Sequence, residues 1–145
     1  MRFWDSSAVV PLLVKEPTTA ELSRLRKTDP DLTVWWGTVV ECAAAIGRLE
    51  QSGETSAAVV STALARLREL AAGWHEIQPL DDLRETARRF VRVHDLRAGD
   101  ALQLAAAFHL AEGRPSSVDC VVLDSRLAAA AAREGFLVLP ESTAN

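Results

Sequence analysis

The sequence predicts a single three-layer α/β domain over residues 1–145, in which helices flank a central, mostly parallel sheet of four to five strands. Short, continuous apolar runs alternate with helical patterns along the whole chain. This alternation is typical of a parallel sheet that is covered on both faces. Hydrophobic residues form 48% of the chain and charged residues 25%, which indicates a globular domain rather than a disordered chain.

In the first half of the chain, helical patterns separate two short apolar strands. The expected elements, in order, are a strand over 2–4, helices over 7–15 and 17–27, a strand over 32–35, and helices over 38–51 and 56–71. Pro17 favours the start of the second helix, and Gly53 ends the third. On the fourth helix, Val60, Leu64 and Leu67 recur at helical spacing and predict an apolar stripe.

The second half of the chain continues the same alternation. The expected elements are a strand over 75–78, helices over 80–93 and 99–112, a strand over 120–123, a helix over 125–133 and a strand over 136–139. Leu83, Ala87 and Phe90 give the first of these helices an apolar face. The alanine-rich helix over 99–112 is apolar on most sides, which predicts that it is buried. Gly135 is the expected C-cap of the last helix.

Charge, cysteine content and the length of the apolar runs argue against a strongly basic nucleic-acid-binding protein, a cysteine-ligated metal site and a membrane protein. The net charge of −4 argues against a protein that binds nucleic acid mainly through bulk positive charge. Cys42 and Cys120 fit no metal-ligand pattern, so we expect small buried side chains in a reducing compartment. Asp5 interrupts the N-terminal apolar run, which is therefore no signal peptide, and no run approaches the length of a membrane span. We expect a soluble, cytoplasmic protein without a membrane partner.

Two matched segments, FWDSSAVV and VVLDSRLAAAA, each carry an aspartate where a predicted strand ends and a helix begins. In parallel sheets, ligands bind outside the carboxyl ends of the strands, where the strand order reverses. If the two strands are neighbours, Asp5 and Asp124 emerge at the same edge of the sheet. The alternative is that each aspartate only caps the helix that follows it.

Glu41 and Asp100 are two further candidate acids. The helical neighbours of Glu41, three and four residues away, are all uncharged: Gly37, Thr38, Ala44 and Ala45. They leave space for a metal ion or a phosphate, although a solvated glutamate stays an alternative. Asp100 lies in the first turn of the predicted buried helix, where the helix dipole by itself favours an acid. Together with Asp5 and Asp124, these carboxylates suggest a hard cation such as Mg²⁺ or Mn²⁺.

Four motifs follow one another along the chain: a DxS motif after the first strand, TVVE on a helix, GDALQLAAA, and LDSRLAAAAAREG near the end. In this order they resemble the PIN-domain family and, more narrowly, the VapC toxins of bacterial toxin–antitoxin pairs. The resemblance implies a PIN-like fold and a metal-dependent endoribonuclease whose acidic residues are Asp5, Glu41, Asp100 and Asp124. We expect Asp5, Asp100 and Asp124 to hold Mg²⁺, with Mn²⁺ as a substitute, and Glu41 to complete the cluster or orient the attacking water. The implied products carry 5′-phosphate and 3′-hydroxyl ends.

The same resemblance assigns two supporting hydroxyls, Ser7 and Thr38. It also reveals a departure, because the threonine that usually precedes the last aspartate by two residues is Val122 here, and Ser125 is the candidate replacement. Asp119 is a rival for the fourth acid. It precedes the strand that Asp124 follows, and five residues at about 3.3 Å each separate the two by about 16 Å. Asp124 is therefore the expected fourth acid.

Arg84, Arg88 and Arg92 lie four residues apart on one face of a predicted helix and are the candidate RNA-binding residues. The alternative is an ordinary solvated face, in which Glu85 pairs with Arg89.

The resemblance also implies partners: an RNA substrate, a cognate VapB-type antitoxin, a second copy in a homodimer, and a toxin–antitoxin hetero-oligomer. Two other functions stay open. The chain could be a non-catalytic PIN-like binding module, an interpretation that Val122 leaves open. It could also be an aspartyl-phosphate phosphatase of the haloacid-dehalogenase type with Asp5 as nucleophile. That chemistry needs a second aspartate where Ser7 stands and a late lysine, whereas the lysines are Lys15 and Lys27.

Overall fold

A computed structural model describes residues 1–141 of the chain. Its strands are β1 (Arg2–Trp4), β2 (Thr33–Trp35), β3 (His75–Ile77), β4 (Asp119–Val121) and β5 (Leu137–Leu139). Its α-helices are α1 (Ser6–Leu13), α2 (Thr19–Thr28), α3 (Thr38–Ser52), α4 (Ala57–Gly73), α5 (Asp81–Val93), α6 (Ala98–Leu110) and α7 (Ser125–Glu134). All of the predicted strands and helices are present, and their ends differ from the predicted ones by at most two residues.

The five strands form one sheet in the order β3-β2-β1-β4-β5, and every pair of neighbours is parallel. This arrangement confirms the predicted class of fold. The chain begins in the middle of the sheet, builds outward through β2 and β3, and then returns to place β4 and β5 on the other side. The strand order therefore reverses between β1 and β4, which is the point where parallel sheets bind ligands.

Helices cover both faces of the sheet because each central strand is apolar on both sides. Successive residues of a strand point to opposite faces. Phe3 and Trp35 lie in the core formed with α5, α6 and α7, whereas Trp4 and Val34 lie in the core formed with the first four helices. The continuous apolar strands of the sequence are thus explained by burial on two faces.

Helix α6 is deeply buried, as its alanine-rich sequence predicts. Ala101, Leu104, Ala105 and Ala106 are at most 2% exposed, and the helix packs against α5 and the sheet. At the end of α7, Gly135 adopts a positive φ of 102°, which confirms it as the C-cap because glycine enters this conformation at little cost.

Cys42 and Cys120 are buried and free, as expected from their isolated positions in the sequence. Desolvation raises the pKa of the Cys42 thiol to about 12, so the protonated form is strongly favoured at neutral pH. Across residues 1–141, no helix combines the length and the apolar character that crossing a membrane requires.

Candidate acidic site at the sheet switch point

Asp5 lies at the carboxyl end of β1 and begins α1. Its backbone N–H donates to the carbonyl of Val121 at 3.0 Å, which joins the end of β1 to the end of β4. Its Oδ2 accepts hydrogen bonds from the backbone N–H and the hydroxyl of Ser7. The residue is only 2% exposed, so its carboxylate is buried at the switch point of the sheet.

Ser7 connects the two matched Asp-Ser turns. Its Oγ donates to Asp5 and accepts from the backbone N–H groups of Leu123 at 3.0 Å and Asp124 at 3.2 Å. The hydroxyl that orders the turn after β4 therefore comes from Ser7 rather than from Ser125. Val122, at the place of the usual threonine, is buried in the apolar core.

Both aspartates cap the helix that follows them, as the capping alternative supposes, but capping does not prevent them from also forming a site. Asp124 Oδ1 accepts from the backbone N–H of Leu127 at 2.9 Å, as Asp5 Oδ2 accepts from Ser7. Capping leaves one feature unexplained. Asp5 Oδ1 is buried without a hydrogen-bond partner among residues 1–141, and buried carboxylate oxygens are normally paired or bound to a cation.

Glu41 is brought to the site by the first turn of α3. The helix can begin close to β2 because residue 37 is glycine, where a Cβ would lie 2.6 Å from Trp35 Nε1. Glu41 Oε2 accepts from the Ser6 hydroxyl at 2.6 Å, and Oε1 accepts from Gln103 Nε2 at 3.3 Å. Both oxygens of this carboxylate are therefore anchored, in contrast to those of Asp5.

Thr38 does not line the site. It is fully buried, and its Oγ1 accepts from Gln103 Nε2 at 3.0 Å. Its support for the acidic residues therefore passes through Gln103, whereas Ser7 contacts an acid directly.

The four predicted acids converge on one cavity, which we call the acidic pocket. Asp5, Glu41, Asp100 and Asp124 all line it, and its volume is about 320 Å³. Its other lining residues are small or polar, with one basic exception: Ser6, Ser7, Val10, Ala44, Ala45 and Arg48. Four carboxylates from four separate segments of the sequence thus meet at the edge where the strand order reverses.

Burial and mutual repulsion raise the pKa of three of these carboxyls. Desolvation raises that of Asp5 to about 6, although its hydrogen bonds from Ser7 oppose the shift and the charges of Glu41 and Asp100 add to it. The pKa of Glu41 is raised by desolvation and by Asp100, against its hydrogen bonds from Ser6 and Gln103. Such a cluster is stabilised by a cation, because a positive charge relieves both effects.

The pKa of Asp100 is raised mainly by desolvation and next by Asp124, while Arg97 and Arg126 lower it. These two exposed arginines, together with Arg48, provide positive charge around the acidic pocket. Their positions at the start of α6, the start of α7 and the middle of α3 surround the acids from separate elements.

The residues present fit a hard divalent cation. Their donors are carboxylate oxygens, and Asp5 supplies a buried oxygen without a protein partner. Within residues 1–141, no three acidic, histidine or cysteine side chains form a ready-made metal cage. Mg²⁺ needs no such cage, because it typically binds through one or two carboxylates and keeps several waters and substrate phosphates as ligands.

Other predicted residues lie outside the acidic pocket. Asp119 is the first residue of β4 and pairs with Arg2 and Leu137 at the amino end of the sheet, so it stands away from Asp124 as expected. The sequence predicts that Asp119 precedes this strand, whereas the structure makes it the first residue of β4.

The arginines of α5 form a separate groove, whose lining includes Arg88 and Arg92 and whose volume is about 550 Å³. The pair between Glu85 and Arg89, which the alternative of a solvated face included, is not formed. Glu85 pairs instead with Arg88 at 3.0 Å, and Arg89 pairs with Glu134 of α7 at 3.4 Å, because the rotation of α5 turns Arg89 toward the neighbouring helix.

Sequence reasoning missed Ser6, Gln103 and Arg48 as members of the site. Gln103 carried a usable signal, since it is a polar residue in a helix that is otherwise apolar. Arg48 lies two helical turns after Glu41, and this spacing puts both on one face of α3. Ser6 had no signal beyond its position next to Asp5.

Fold and site together define a three-layer α/β protein with an acidic pocket at the switch point of a parallel sheet. A solved structure with a similar fold is PAE2754 from Pyrobaculum aerophilum. It aligns with a TM-score of 0.63 and 22% sequence identity, over 95% of this chain and 83% of that chain. At this identity the similarity establishes the fold alone. Protein-family models and curated proteins give no match.

Proposed function

We propose that this protein is a Mg²⁺- or Mn²⁺-dependent endoribonuclease of the PIN-domain type that acts as a VapC-like toxin in the cytoplasm. The observation that carries the proposal is the acidic pocket, in which four carboxylates converge and Asp5 retains a buried oxygen without a partner. Hydrolysis of a phosphodiester requires stabilisation of negative charge and an activated water, and both needs suit a cation held by these acids.

The roles of the residues follow from their surroundings. Asp5, Asp100 and Asp124 would hold the cation, which supplies positive charge to the phosphate under attack and lowers the pKa of the attacking water. Glu41, anchored through both oxygens, is suited to complete the acidic cluster around the cation or to accept a hydrogen bond from that water and orient it. Ser7 keeps Asp5 and the backbone of Asp124 in register.

Metal-dependent cleavage of a mixed RNA substrate tests the proposal. We expect the purified protein to cut RNA with Mg²⁺ or Mn²⁺ and to stop when EDTA is added, leaving 5′-phosphate ends. Asp100→Asn should reduce cleavage to background while its circular dichroism matches that of the wild type. Its unfolding temperature should be equal or higher, because the substitution removes a negative charge that is disfavoured by desolvation and by Asp124. Equal cleavage by wild type and Asp100→Asn would contradict the proposal.

The arginines of α5 are proposed to hold the RNA backbone. Arg84 and Arg88 form ion pairs with Asp81 and Glu85, but all four side chains are mostly exposed. Such pairs contribute little to stability and can exchange for phosphate. No carboxylate pairs with Arg92 in the part of the chain described.

Replacement of Arg84, Arg88 and Arg92 by Gln should weaken RNA binding by the Asp100→Asn protein and flatten its salt dependence. The slope should fall by about 0.7 for each single-strand phosphate that the protein no longer neutralises, or about 2 in total. Titrations with RNA at several salt concentrations measure it. A matched control replaces three exposed arginines elsewhere, Arg24, Arg68 and Arg114, and so removes the same charge. Equal slopes for the two triple variants would assign the arginines of α5 to an ordinary solvated face.

Binding of a cognate antitoxin and of a second copy is part of the same proposal. The early helices retain partly exposed apolar side chains, among them Leu12, Leu25 and Leu64, whereas Leu13 and Leu67 are buried in the core. An acidic pocket attracts a basic side chain. We therefore infer that an antitoxin Arg or Lys would lie near Asp5 and Asp100.

Neither alternative function gains support from a specific feature of the site. Lys15 and Lys27 are exposed and do not line the acidic pocket, so a phosphatase would lack its lysine there. A non-catalytic binding module would be favoured if Val122 left the site without a hydroxyl, but Ser7 supplies one at that turn.

A further inference from the structure

Gln103 is a fully buried polar residue that joins two of the acid-bearing helices. It lies on α6, one turn after Asp100, and its Nε2 donates to Thr38 Oγ1 at 3.0 Å and to Glu41 Oε1 at 3.3 Å, both on α3. The orientation of the amide follows from its neighbour. The opposite orientation would set a carbonyl oxygen against a carboxylate oxygen, and neither can donate.

The stability of the fold alone does not explain this residue. Gln103 Oε1 is buried without a hydrogen-bond partner among residues 1–141, and an unpaired buried acceptor carries the full penalty of desolvation. A methionine or leucine, of similar volume, would avoid that penalty in a helix whose other buried residues are Ala and Leu. The features that an apolar residue could not supply are the donors to Thr38 and to Glu41, and only the second of these bonds reaches a residue that lines the acidic pocket.

Glu41 is held on both oxygens by residues that adjoin the other acids. Its Oε2 accepts from Ser6, the residue after Asp5, and its Oε1 accepts from Gln103, three residues after Asp100. The position of Glu41 is thereby tied to the two helices that carry Asp5 and Asp100. Without Gln103, only the Ser6 bond would restrain the carboxylate.

We propose that Gln103 is a positioning residue, which fixes the Glu41 carboxylate in the orientation that the acidic pocket requires. The inference rests on the proposed function, because it assigns Glu41 to a metal-dependent site. Hydrogen-bond partners one step removed from a metal typically change its affinity or the activity by about 10-fold to 100-fold when they are replaced.

Gln103→Met tests the inference, because methionine keeps the length and volume of the side chain but neither donates nor presents a strong acceptor. Three quantities are measured: the affinity for Mn²⁺ alone by calorimetry, the unfolding temperature without metal, and kcat and KM for RNA cleavage. We expect Mn²⁺ binding about 10-fold weaker and kcat about 10-fold to 100-fold lower. KM should stay unchanged. The unfolding temperature should change little, because the loss of the donor to the buried Thr38 Oγ1 opposes the gain from removing the unpaired Oε1.

Gln51→Met is the matched control, since it makes the same exchange at an exposed position of α3 and should leave all three quantities at their wild-type values. Gln103→Leu is the second variant. If both Gln103 variants bind Mn²⁺ like the wild type, Gln103 does not position Glu41 and the inference is wrong. If both variants are unfolded, the residue serves the fold, and the inference is wrong as well. Failure of the proposed function would be visible separately, as an absence of Mn²⁺ binding by the wild type, and it would overturn the inference as well.

Discussion

Asp5→Asn is expected to reduce RNA cleavage to background and, at the same time, to stabilise the metal-free protein at neutral pH. The asparagine keeps an oxygen that can accept from Ser7 and cap α1, since Asn and Asp are comparable caps. It removes a charge that is 2% exposed and faces Glu41 and Asp100. Under the proposed function, catalysis and stability therefore make opposite demands at this residue.

The pH dependence of this effect follows from the raised pKa of Asp5. Desolvation is the main cause of its rise from 3.8 to about 6. Between these values the folded state binds the proton more tightly than the unfolded state does, so the free energy of unfolding falls as the pH rises. The rise of the pKa from 3.8 to about 6 corresponds to about 3 kcal/mol in the free energy of unfolding. This stabilisation is fully present below pH 3.8 and is lost above about pH 6.

Urea unfolding in the presence of EDTA, at several pH values between 4 and about 8, measures the difference in the free energy of unfolding between the wild type and the Asp5→Asn variant. The advantage of Asp5→Asn should be largest above about pH 6 and disappear toward pH 4. Mn²⁺ should stabilise the wild type more than the variant, because only the wild type presents all of the carboxylates that are proposed to hold the cation. Asp31→Asn, at an exposed position, is the control. A variant less stable than the wild type at pH 7 would contradict the argument, as would full activity.

The fold was predictable because its strands and helices have strong local signals. Apolar runs at β1, β2 and β4 are short and continuous, and they identify strands that are buried on both faces. Gly53 and Gly135 end helices α3 and α7 with positive φ values of 69° and 102°. The side-by-side position of β1 and β4 could not be read from either strand, since it depends on pairing across more than a hundred residues.

The acids of the site were predictable for a similar reason, whereas their supporting contacts were not. Asp5 and Asp124 follow strands, so the polarity of a parallel sheet brings them to one edge. Gln103 donates to Glu41 across 62 positions of the sequence, and the backbone N–H of Asp124 donates to Ser7 across 117 positions. Such bonds depend on side-chain directions that only the packed core determines.

Ion pairs between surface side chains were the least predictable feature of the chain. The i,i+4 rule suggested that Glu85 pairs with Arg89, but Arg89 is turned toward Glu134 and Glu85 pairs with Arg88. Exposed ion pairs differ little in free energy, so the contacts of neighbouring helices decide among them. Glu134 also contacts His94 at 2.7 Å, and this contact across α5 and α7 had no local signal.

The polarity of the sheet makes a second strong prediction, because it separates two aspartates only five residues apart. Asp124 follows β4 at the carboxyl edge, lines the acidic pocket and raises the pKa of Asp100. Asp119 begins β4 at the amino edge, where its backbone N–H donates to the carbonyl of Met1 at 3.0 Å. We expect Asp124→Asn to lower kcat by about 100-fold or more, since it removes charge stabilisation of several kcal/mol. Asp119→Asn should leave kcat within about 2-fold of the wild-type value, because it lies outside the pocket.

The two substitutions control for each other, since each removes one carboxylate beside the same strand. The asparagine of the Asp124→Asn variant would still cap α7, because its side-chain oxygen can accept from Leu127, so a loss of activity would not reflect a loss of the helix. Cleavage rates at saturating Mg²⁺ and unfolding temperatures are measured for both variants. If Asp119→Asn were the more damaging substitution at equal stability, the cation would bind at the amino edge of the sheet, and the acidic pocket would not be the catalytic site.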